Sequence, residues 1–128
     1  MSQGEMLELG TVSEASLTAA MHRLEPVVGK VDWKSFESRE LKRDGKPEYV
    51  LFFFVDTHGF LFVAGSAFVG DGKPDPWLWC IGADMIAKEF RARGLKCETK
   101  RRGHVEQCLR VGWKISGVAL EKNFETGN

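Results

Sequence analysis

The run Tyr49 to Val55, YVLFFFV, constrains this chain more than any other stretch. Seven successive aromatic, β-branched or aliphatic residues cannot alternate between core and water, so a strand made from them must be covered on both faces. A central strand of that kind demands a sheet with a packed layer on either side. The sequence that follows supplies its partner. Asp56-Thr-His-Gly59 has the length of a hairpin turn, with Gly59 free to take a positive φ, and Phe60 to Val69 returns antiparallel. Gly65 inside the return strand predicts a bulge or a close backbone approach.

Upstream, Glu5 to Leu9 reads as a short strand with Met6 and either Leu7 or Leu9 inward, closed by Gly10. Thr11-Val-Ser-Glu14 has the form of a capping box and opens a helix. Its apolar positions Ala15, Leu17, Ala20, Met21, Leu24 and Val28 recur at helical steps, and Pro26 and Gly29 bring it to an end or tighten its last turn. Asp32 is placed to cap a second, shorter helix carrying Trp33, Phe36 and Leu41, which Lys42-Arg-Asp-Gly-Lys-Pro47 breaks with turn chemistry.

Downstream, Gly70-Asp-Gly-Lys-Pro-Asp-Pro76 is a polar loop. Trp77 to Ile81, WLWCI, reads as a further apolar strand, with Trp77 and Trp79 on one face. Gly82-Ala-Asp84 then leads into a helix from Met85 to Arg93, capped by Gly94, with Phe90 inward. Leu95 to Lys100 is read as a strand and Arg101 to Gly103 as a corner. In HVEQCLRVGWKISGVALEK, Val105, Cys108, Leu109 and Val111 fall near one helical face, and Gly112 sits where a left-handed cap belongs. Trp113 to Leu120 is the closing strand, interrupted by Gly117.

At 128 residues, 43% of them hydrophobic and 28% charged, the chain has the composition of one globular domain spanning its whole length. No apolar run approaches the roughly 20 residues that cross a bilayer, and the first residues lack the basic start and apolar core of a signal peptide, so a cytoplasmic location is expected. Cys80, Cys97 and Cys108 match no disulfide framework and are read as reduced thiols. Cys97, His104 and Cys108 lack the closely spaced ligand pairs and the fourth ligand of a structural zinc site, so no metal is expected. Net charge is zero, yet Lys88 to Arg102 holds seven basic residues against two acidic ones.

The order β-α-α-β-β-β-α-β-α-β is that of an α/β protein with a mixed sheet around the Tyr49–Val69 hairpin. It resembles the GCN5-related N-acetyltransferase (GNAT) superfamily from Glu5 to Lys122. The resemblance rests on the opening strand and helix, on Phe60 to Gly65, which is similar to the family's third strand, and on Val105 to Trp113. In the family a helix bearing a catalytic tyrosine runs into a Gly-Phe pair before the last strand, and Gly112-Trp113 stands where that pair belongs.

The resemblance implies acetyl-CoA or coenzyme A as cofactor and an amine as acceptor. It places the coenzyme arm in a V-shaped opening between the fourth and fifth strands. The pyrophosphate is implied to rest on backbone amides between the fourth strand and the next helix, here Cys80, Ile81, Gly82 and Ala83. Arg91, Arg93, Arg101 and Arg102 are available to its phosphates. The chain departs from the family in three places. Gly82 stands alone where a glycine-rich turn is usual, with Asp84 just after it. Arg101 is near the place of a loop asparagine. Cys108 occupies the tyrosine position, where a thiol of pKa near 8.5 matches the coenzyme thiolate it would protonate. Glu48, Asp56, Glu98 and His58 read as surface groups, and no pair among them stands out as a general base.

Three functions fit these residues. The first is acyl transfer from coenzyme A to an amine. The second is a binding or assembly protein of the same fold, similar to compact bacteriophage members associated with virion assembly, with a protein partner and Trp77 or Trp79 as anchor. Such a protein would occupy the host cytoplasm or the virion. The third is nucleic-acid binding through the Lys88 to Arg102 patch, against which the lack of interleaved aromatics argues.

Overall fold

The structure, a computed structural model, describes residues 6–99, 102–117, 120, 122 and 124. The chain forms two compact units, Met1–Glu98 and Thr99–Asn128. The first contains β1 (Leu7–Gly10), α1 (Glu14–Val28), one 3-10 turn (Trp33–Ser35), β2 (Glu37–Arg43), β3 (Lys46–Val55), β4 (Phe60–Phe68), α2 (Pro76–Glu89) and β5 (Gly94–Cys97). The second contains α3 (Arg102–Arg110). No helix among the described residues is long and apolar enough to cross a membrane.

The five strands lie in the order β1-β2-β3-β4-β5. All neighbours are antiparallel except β4 and β5, which run parallel and are joined through α2. Alternation along β3 divides its side chains between two layers. Val50 and Phe52 join Ala20, Trp33 and Ala67 beneath α1. On the other face Leu51, with Leu41 of β2, lies against Gly82 of α2, and the Phe53 ring meets Phe90 edge-on at 5.1 Å. The two-faced cover predicted for YVLFFFV holds for Tyr49 to Phe53, while Phe54 and Val55 project past it, 41% and 44% exposed.

The hairpin turn forms as read. Asp56 accepts hydrogen bonds from the His58 and Phe60 amides, both at 2.9 Å, and Gly59 has φ +84°. The Phe60 amide bond is the main cause holding the Asp56 carboxyl below its ordinary range, with the His58 amide and Lys96 acting in the same direction. A depressed carboxylate contributes stability above its unfolded pKa of about 3.9 and loses it as pH falls through the folded value. The Tm gap between the parent and Asp56→Ala is therefore expected to narrow as pH is lowered from about 6 to about 3, which calorimetry measures.

The irregularity expected at Gly65 is present. Phe52 pairs with Gly65 and Phe53 with Val63, so Ala64 is the extra residue of a bulge. A Cβ on Gly65 would stand 2.7 Å from the Trp33 Cη2, so the indole lies directly on the strand backbone.

Several expectations are corrected. The helix predicted from Asp32 to Leu41 is a 3-10 turn followed by β2, because the backbone of ESRELKR is hydrogen-bonded between β1 and β3 and tertiary pairing overrides propensity. WLWCI is helix: Asp75 caps α2 and Pro76 begins it, so the apolar run is an internal helical face. Trp79 is buried there and Trp77 is 38% exposed, so the two do not share a strand face. The helix stops at Glu89, Arg91 turns the chain at φ +52°, and Gly94 opens β5 instead of capping α2. Helix α1 is capped by Ser13, not Thr11: its Oγ accepts from the Ser16 amide at 3.2 Å and its hydroxyl donates to the buried Glu40 of β2. Met6 is 64% exposed. Glu5 and Lys100, read as strand ends, lie outside the described residues.

In the second unit, α3 carries Cys108 as a buried residue and ends at Gly112, whose φ of +96° is the left-handed stop expected there. The Trp113 amide donates to the Cys108 carbonyl at 3.1 Å. Residues 113–117 form no strand, contrary to expectation, and Val118 lies outside the described residues.

Candidate functional site

Strands β4 and β5 pair over a short register only, from Phe60↔Gly94 to Val63↔Cys97. There β5 ends, while β4 continues to Phe68. The end of the pairing coincides with the bulge at Ala64, and a bulge bends and twists its strand. Among the described residues no strand pairs with the β5-side edge of Ala64 to Phe68. This edge offers main-chain N–H and C=O groups to an extended ligand.

Beyond the edge the Val69 amide bonds the Glu48 carbonyl at 2.9 Å, and Gly70-Asp-Gly-Lys-Pro-Asp75 leads into α2. The first turn of α2 is already occupied. Asp75 Oδ1 accepts from the Trp77 amide at 3.1 Å, its carbonyl accepts from Leu78 at 3.0 Å, and Pro76 has no N–H to offer. Arg43 stands beside this cap, 3.0 Å from Glu48 Oε1 and 3.8 Å from Asp75 Oδ2. Tyr49, the chain's single tyrosine, lies below. Burial first, then the negative charge of Asp75 and Glu48, pushes its phenol pKa up and keeps the ring neutral.

An anion meets a divided environment here. Among the described residues no backbone partner holds the amides of Gly70, Asp71, Gly72 and Lys73, and Lys73 adds a positive charge. Neither Gly70 nor Gly72 is at positive φ, and Glu48 Oε2 lies 2.5 Å from where a Cβ on Gly70 would be. The helix terminus itself is taken by the Asp75 carboxylate, and Asp71 adds a second negative charge.

The residues named from the sequence fall elsewhere. Cys80, Ile81, Gly82 and Ala83 are inside α2, where their amides belong to the helix's own hydrogen bonds. The strand–helix junction is at residues 69–75. Gly82 instead lets α2 approach the sheet, with Leu41 and Leu51 at 3.4 Å from where its Cβ would be. Asp84 is an exposed mid-helix residue. Arg91 follows the far end of α2, about 20 Å of helix from the loop. Arg93 donates to the His58 carbonyl at 3.1 Å and lies over the Phe60 ring. Arg102 pairs with Glu106 on α3, and Arg101 lies outside the described residues. Within the basic stretch, Lys96 is 3.6 Å from Asp56. Among the described residues no group of three or more His, Cys, Asp and Glu side chains is arranged to hold a metal ion. The loop carrying Gly70, Gly72 and Lys73 was missed as a site. The signal that marks it is Asp75-Pro76, an N-cap followed by proline at the first helical position.

No family profile and no curated protein matches the sequence. Solved structures do match its fold. A transcriptional regulator from Bacillus halodurans C-125 superposes with a TM-score of 0.63 at 16% identity, over 93% of this chain and 100% of that one. The aminoglycoside N-acetyltransferase AAC(6')-Iy in complex with a coenzyme A bisubstrate analogue gives 0.61 at 9% identity, over 92% of this chain and 97% of that one. A ribosomal-protein-alanine N-acetyltransferase from Brucella melitensis biovar Abortus 2308 gives 0.56 at 9% identity, over 94% and 100%. The mixed five-stranded sheet, its parting after Val63 and these superpositions together show that the chain has the GCN5-related N-acetyltransferase fold.

Proposed function

We propose that the chain, residues 1–128 acting as one domain, transfers an acetyl or related acyl group from coenzyme A to an amine. The observation that carries this reading is the end of the β4–β5 pairing at Val63 and Cys97, which leaves Ala64 to Phe68 with no strand partner on that edge among the described residues. In this reading that edge hydrogen-bonds the amide-bearing arm of the coenzyme. The amides of Gly70 to Lys73 and the Lys73 ammonium hold the pyrophosphate. The bound coenzyme supplies a thioester carbonyl for the amine to attack. Cys108, at the family's tyrosine position, is the proposed proton donor to the departing thiolate. Similarity to structures solved with coenzyme A and with a bisubstrate analogue supports the choice of donor.

The direct test is thermal. At about one hundred times its dissociation constant, acetyl-CoA should stabilise the fold by roughly 2.7 kcal/mol and raise Tm by several degrees. A flat titration at millimolar acetyl-CoA would remove the coenzyme from the proposal. It would favour the second reading, a binding protein of the same fold with a protein partner. The Asp75 carboxylate on the helix terminus is the observation on that side.

A further inference from the structure

A cavity of about 250 Å³ opens at the C-terminal end of α1, lined by Met21, Glu25, Gly29, Lys30, Val31 and Trp33. Local backbone chemistry makes it. Gly29 ends the helix at φ +77°, its amide donating to the Glu25 carbonyl at 2.9 Å, and turns the chain back so that Val31 and Trp33 come alongside Met21. No side chain at Gly29 fills the gap, since a Cβ there would meet nothing within 4 Å. The floor is apolar. Trp33 is 5% exposed and fixed against Phe52 and Gly65, so the cavity has one rigid aromatic wall.

The lining includes one acidic residue, Glu25, and one basic residue, Lys30. Both are exposed, and among the described residues neither enters an ion pair, although they are near neighbours in sequence. A ligand here meets a negative charge, a positive charge and an apolar floor. A cation alone would be repelled by Lys30, and an anion alone by Glu25. A volume of 250 Å³, room for about eight waters, suits a molecule the size of an amino acid.

We propose that this cavity binds a small zwitterion with an aliphatic body, its ammonium paired with Glu25, its carboxylate with Lys30, and its side chain against Met21, Val31 and Trp33. The inference stands apart from the acyl-transfer reading. It uses no residue of the β4 edge or of the Gly70–Asp75 loop.

Isothermal titration of the intact chain with three probes tests it: L-leucine, leucinamide, which lacks the carboxylate, and isocaproate, which lacks the ammonium. Leucine is expected to bind at least about tenfold more tightly than either, the size of one charge-assisted contact. Glu25→Gln should weaken leucine by about tenfold and bring isocaproate level with it, and Lys30→Met should do the same for leucinamide. Because both side chains are exposed, the two variants should melt with the parent. No heat from leucine up to about 10 mM, affinities for the three probes within about twofold, or unchanged binding in the variants would overturn the proposal.

Discussion

Trp33→Ala is expected to cost about 3–5 kcal/mol of folding stability, the range for deleting a buried tryptophan. The indole is 5% exposed, packs on Phe52 at 4.8 Å and on Phe36 at 5.6 Å, and covers the main chain at Gly65. Urea denaturation measures the loss, and a cost below about 1 kcal/mol would mean that the indole is not seated there. Gly65→Ala probes the same contact from the strand. With only 2.7 Å to the ring, the new methyl must displace the indole, at about 1–3 kcal/mol. In the Trp33→Ala background most of that cost should vanish. The resulting non-additivity in a double-mutant cycle identifies the pair as a contact.

Lys73→Glu and Asp75→Asn should move coenzyme A affinity in opposite directions. Reversing the charge at Lys73 removes a charge-assisted contact worth about 1.5–3 kcal/mol, a loss of roughly ten- to a hundredfold in affinity. Asparagine caps a helix about as well as aspartate, so Asp75→Asn keeps α2 started while removing a negative charge from the phosphate's neighbourhood. It also removes the negative charge 3.8 Å from Arg43. Charge effects at a helix terminus run at about 0.3–1 kcal/mol, so a two- to fivefold gain is expected. Calorimetric titration of coenzyme A into the three proteins reads both changes. Equal affinities would show that the Gly70–Asp75 loop does not hold the pyrophosphate.

The hairpin and α1 were legible because their signals are local. YVLFFFV has no amphipathic alternative, Asp56-Thr-His-Gly59 has turn chemistry at a hairpin's spacing, and Gly29 supplies the positive φ with which α1 stops. β2 was not legible. ESRELKR has the composition of a solvated helix, and only the backbones of β1 and β3 on either side make it a strand. WLWCI failed in the opposite sense, a β-rich composition committed to helix by the Asp75-Pro76 start. That second error moved the candidate site. With Trp77 to Ile81 counted as a strand, the strand–helix junction fell on Cys80 to Ala83, whereas the junction of the folded chain is the glycine-containing loop before Asp75. Cys108 was read on α3 and is found there, buried.

The open edge of β4 bears on more than ligand binding. A row of unsatisfied peptide groups is a template on which any extended chain can continue the sheet, including a strand from another copy of the protein. The bulge at Ala64 spoils that template, because it breaks the repeat to which a flat foreign strand would have to conform. The irregularity beside the end of β5 therefore also blunts this edge against strand addition.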